Sequence, residues 1–124
     1  MTTSDAGPVR PGTDAYLLWI ADRATGLAAA ARALPPGAAG RQRLEGIVAE
    51  ELALLRAGLP DPVCVTCIGL APHVRLDRDL SEDTFCYAAI RTREWLETVR
   101  QHILMVVGVR NSTRPRAMRG IPTA

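Results

Sequence analysis

The stretch from Glu82 to Val109 constrains this chain more than any other, because it is the longest uninterrupted helical pattern in the 124 residues. Phe85, Ala88, Ala89, Thr92, Leu96, Val99, Ile103 and Val106 recur at spacings of three and four. At about 100° per residue they share one stripe, while Arg91, Glu94, Glu97, Thr98 and Gln101 occupy the opposite face. A helix of this kind needs apolar partners. The chain is long enough for one core and no more. Hydrophobic residues make up 48% of it but aromatic residues only 4%, so that core must be built mainly from Ala, Leu, Val and Ile. Small aliphatic side chains suit closely approaching helices. The expected fold is therefore all-α, a single-domain bundle of about four helices spanning residues 13–109. A disordered lead (1–12) precedes it, and a basic flexible tail (110–124) follows.

The remaining helices follow from punctuation and periodicity. Thr13 or Asp14 can cap a first helix reaching about Leu34, with Leu17, Ile20, Ala21, Ala24, Leu27, Ala28 and Ala31 on one face. Pro35, Pro36 and Gly37 end it, and the short turn predicts an antiparallel hairpin. A second helix over 38–57 presents Leu44, Ile47, Val48, Leu52, Leu54 and Leu55, with Gly58 as its C-cap. After the proline-marked linker 59–62, the segment VCVTCIGLAPHVRL mixes β-branched residues with a helical spacing of Cys64, Cys67, Ile68, Ala71 and Val74. A lone strand would have no partner here, so a helix of two or three turns is expected. In the charged loop 75–83, Asp79 or Ser81 can cap the long helix.

All fifteen basic residues are arginine, and the formal net charge is only +2. That leaves no strong field to draw in a polyanion, so nucleic acid is an unlikely partner. The four arginines of the last fifteen residues keep an accessory nucleic-acid role open as an alternative. The first residues contain no secretory apolar run, and no segment approaches a membrane span. The cytoplasm is the expected compartment, with no membrane partner.

Candidate chemistry is sparse. Cys64, Cys67, His73 and Cys86 supply the ligand types of a tetrahedral zinc site. However, CVTC lies in an apolar run without a knuckle turn, so packing as small hydrophobes is the expectation. A redox role for the pair would need a βαβ context that is not visible. Asp77, Asp79, Ser81 and Asp83 alternate like a calcium loop, but Glu82 and Ala88 replace its required Gly and Glu. His102 sits at the edge of the long stripe. Glu51 falls inside an apolar arc and is expected to pair with an arginine from another helix, a functional carboxylate being the alternative. No phosphate loop, nucleophile elbow or HExxH pattern occurs. No metal or cofactor is expected.

The segments LRAGLPDPVCVTCIGLAPHVRLDRDL and RTREWLETVRQHI, within residues 44 to 104, resemble a group of small actinobacterial helical proteins of unknown function labelled as natural-product-biosynthesis-associated. That resemblance implies an accessory context and no activity, and Pro72 departs from the uninterrupted short helix of the group. The expected function is a non-catalytic helical interaction or accessory protein that self-associates as a homodimer or binds a protein partner. Leu104 and Met105 are candidate contact residues because ILMVVGV is apolar on every side of its helix, and Trp19 joins them as an off-stripe tryptophan, the alternative being an indole lying flat over neighbouring arginine stems. The enzyme-class alternative is a small helical catalyst or metal protein using Glu51, His73, His102 or the Cys64/Cys67 pair.

Overall fold

The structure, a computed structural model, describes residues 10–35, 37–72 and 82–112. Four helices are present among them and no strand: α1 (Asp14–Arg32), α2 (Ala38–Ala57), α3 (Pro62–Gly69) and α4 (Glu82–Ser112). The chain is an all-α helical bundle. None of its described helices is long and apolar enough to cross a membrane. The lead before Arg10, His73, the Asp77 to Ser81 loop and the tail after Ser112 lie outside the described residues.

Each start has a local cause. The Thr13 hydroxyl accepts the Tyr16 N–H at 3.1 Å, satisfying one orphan donor of α1. Asp61 does the same for α3 from Val63 at 2.9 Å, with Pro62 at the first helical position, where its missing N–H costs nothing. This cap decides the helix-or-strand ambiguity of VCVTC in favour of helix. Between α1 and α2, Gly37 takes φ +110°, a value that side-chain-bearing residues rarely adopt.

Helix α1 lies most extensively against α4, and α2 and α3 complete the core. Leu17, Ile20, Leu44, Leu55, Leu96 and Ile103 are fully buried. Each such side chain contributes roughly 1.5–3 kcal/mol relative to exposure. On α4 the buried stripe is wider than the periodicity indicated. It includes Trp95, whose indole N–H donates to the Cys67 carbonyl at 2.9 Å and so fastens α4 to α3. Val107 is buried and Val106 half-buried, which shifts the stripe slightly at its end.

The expected domain boundary after Val109 is too early. Helix α4 continues to Ser112, and Arg110 belongs to the bundle. Its guanidinium donates to Asp14 and to Asp61, each at 3.0 Å, joining the end of α4 to the starts of α1 and α3. These contacts raise the Arg110 pKa, the hydrogen bond to Asp61 contributing most and that to Asp14 next.

Candidate functional site

The centre of the bundle holds a polar cluster in aliphatic surroundings. Glu51 on α2 has no solvent exposure, and neither carboxylate oxygen has a hydrogen-bond partner. The expected arginine pair is not made. Arg23 is the cation whose charge acts on it, but the Arg23 guanidinium bonds to Glu50, the preceding residue of α2, on the solvent side. Burial therefore dominates and pushes the Glu51 carboxyl up to about 7. Arg23 opposes that rise and Glu50 adds to it. An uncompensated buried charge is so unfavourable that the group holds its proton instead.

The other members are Tyr16, Cys64 and Cys67. The Tyr16 hydroxyl donates to the Leu54 carbonyl at 2.8 Å. Burial raises its pKa, with Cys64 and Glu51 adding smaller effects. Both thiols are fully buried. Burial carries Cys64 to about 11, with Asp61 adding and Arg110 opposing. It carries Cys67 to about 12, with Cys64 and Glu51 adding. Only a thiolate attacks electrophiles or binds metal, so these two cysteines are inert packing groups at neutral pH.

Of the Cys64/Cys67/His73/Cys86 constellation, His73 lies outside the described residues, and the three cysteines are not brought together. Cys86 is exposed on α4, and among the described residues no three His, Cys, Asp or Glu side chains are placed to hold a metal ion. His102 is half-buried on α4. The thiol assignment gives a direct test. A water-soluble thiol reagent at neutral pH should label one cysteine rapidly in the native chain and all three after unfolding. Rapid labelling of Cys64 or Cys67 in the folded state would contradict it.

The second candidate is a surface. Leu104 is 42% and Met105 58% exposed, as their positions off the stripe predict. Leu18, 42% exposed on α1, lines a shallow groove of about 270 Å³ with Leu104. Val109 extends the apolar area one turn beyond Met105. Trp19 is not part of this area. Its ring lies 5.7 Å from Tyr16, with the Arg23 guanidinium 5.4 Å above it. Arg23 in turn reaches Glu50, so Trp19 is half-buried on the flank of α1 that faces α2. Leu18 is the apolar residue of α1 adjoining Leu104, and sequence reasoning passed over it because it sits one position from the obvious stripe.

No protein-family model, curated protein or solved structure matches the chain.

Proposed function

We propose that this chain is a non-catalytic helical interaction protein that self-associates through the outer face of α4 and the adjoining part of α1. The observation that carries this reading is the absence of charge on the α4 part of that face, with Asp22 and Arg100 at the groove where α1 adjoins it. The exposed positions of α4 from Gln101 to Val109 are Gln101, Leu104, Met105, Gly108 and Val109, none of them ionisable. Exposed Leu104, Met105 and Val109 on one stretch of helix are the kind of apolar side chains that binding surfaces gather. Being uncharged, the α4 surface can meet its own copy across a two-fold axis without like-charge repulsion, whereas a charged face would favour a partner of opposite sign.

Gly108 supports the same reading. A Cβ there would meet nothing within 4 Å, so nothing inside the fold requires glycine. In mid-helix it sacrifices roughly 1 kcal/mol relative to alanine. A low point beside Leu104 and Met105 allows a second helix to approach closely.

Sedimentation at several concentrations tests the proposal. The chain should form a dimer at micromolar concentration. Leu104→Glu combined with Met105→Glu should make it monomeric while leaving the helical circular dichroism spectrum unchanged. A strict monomer at high micromolar concentration, unaffected by the double substitution, would overturn it.

The catalytic alternative is less well supported. Glu51 is sealed from solvent, and the thiols of Cys64 and Cys67 are held protonated.

A further inference from the structure

We infer that the cleft between the C-terminal half of α1 and the middle of α4 binds a small organic anion, a carboxylate or phosphate monoester with a compact apolar body. The cleft encloses about 390 Å³ and is floored by Ala24, Ala28 and Leu96. That volume lies within the roughly 300–1,000 Å³ usual for small-molecule sites. Helical spacing builds its walls. Arg93, Glu97 and Arg100 recur along one flank of α4, and Arg32 closes the end of α1.

Three guanidinium groups and one carboxylate give this small space a net charge of 3 − 1 = +2. Glu97 is already engaged by Arg100, at 3.3 and 3.4 Å to its two oxygens. Among the described residues, Arg93 makes no ion pair. Its Nε is shut off from solvent and has no hydrogen-bond acceptor. That nitrogen is equally out of a ligand's reach, so any contact with the cleft's contents falls to the terminal nitrogens of the guanidinium. The guanidinium fork matches two oxygens of one carboxylate or phosphate. An anion seated there would offset the net positive charge of the cleft, and the alanine floor would receive an apolar body.

The site adjoins the proposed self-association face, sharing Thr25 and Arg100 with its groove, and the test keeps the two apart. Backbone amide NMR of the full chain would be followed during titration with benzoate, phenyl phosphate, inorganic phosphate and neutral benzamide. Saturable shifts confined to α1 from Thr25 to Arg32 and to α4 from Arg93 to Arg100 are expected with benzoate or phenyl phosphate, whichever anion is preferred. Arg93→Gln should weaken that affinity by about tenfold, the loss of one charge-assisted pair. Arg93→Lys, which keeps the charge and the fold but not the fork, should weaken it less. A Leu104→Gln, Met105→Gln chain, which breaks the apolar face without adding charge beside Arg100, should bind as before. Equal binding of benzamide would overturn the anion, and equally tight inorganic phosphate the organic body. Shifts unchanged by both Arg93→Gln and Arg32→Gln would overturn the site itself.

Discussion

Between about pH 5 and pH 8 the unfolding free energy is expected to fall by about 2–3 kcal/mol through Glu51 alone, and Glu51→Gln should remove that fall. The folded chain holds the Glu51 proton up to about 7, against an ordinary value of 4.5. The unfolded chain releases its proton near the lower value. From there to about 7 the folded state binds more protons, so stability declines as pH rises and levels off above. The full contribution of the neutral acid is present only below the unfolded value. Each pH unit between the two values corresponds to about 1.4 kcal/mol. The groups that act on Glu51, or feel it, are Arg23, Glu50, Tyr16 and Cys67. None of them bonds to it. Glu51→Met, which fills the same space without a polar atom, should therefore raise the unfolding free energy at pH 8 by about 2–4 kcal/mol. Urea titrations of the three chains at several pH values would measure this. A loss of stability in both variants at pH 8 would show that Glu51 has a partner.

Asp61 acts in the opposite direction on the acid side. Burial raises its pKa most, but the Arg110 hydrogen bond, the Val63 N–H and the Arg110 charge together outweigh it and leave the carboxyl below its ordinary value. Stability from this group is present above the unfolded value and is lost as pH falls through the folded one. The two carboxylates together place the stability maximum in the weakly acid range.

The helices were legible because their signals are local. Thr13, the Pro35–Gly37 break and the α4 stripe act within a few residues of where they stand. The burial of Glu51 was legible too, from its place among Ile47, Val48 and Leu55. Its missing partner was not. Whether Arg23 reaches Glu51 or Glu50 depends on the register of α1 against α2, and a one-residue difference decides between an ion pair and a neutral buried acid. Arg110 shows the same limit. In sequence it opens a proline- and arginine-rich stretch, and the two aspartates that hold it come from elements 96 and 49 residues away. Trp95 joins the core only because α3 offers a carbonyl there. The apolar face of α4 was legible at Leu104 and Met105, whereas Leu18 needed the docking of α1.

Glycines illustrate the difference most sharply, and two of them on the same helix should respond in opposite ways. Gly40 is buried in the first turn of α2, where a Cβ would overlap the Pro35 carbonyl oxygen and come within 3.2 Å of the Phe85 ring. The obstacle is backbone, part of the turn that brings α2 alongside α1, so no side-chain rotation relieves it. Gly40→Ala must push that turn outward and is expected to destabilise the fold by about 2–4 kcal/mol, at or above the usual range for overpacking. Gly46, less than two turns later on the exposed face, has nothing within 4 Å of the same added atom. There alanine only restricts the unfolded chain and improves helix propensity, so Gly46→Ala should stabilise by about 0.5–1 kcal/mol. Thermal melts of the two single variants beside the parent chain would read both signs. A Gly40→Ala chain that melts at or above the parent would mean that the α1–α2 turn does not approach α2 this closely.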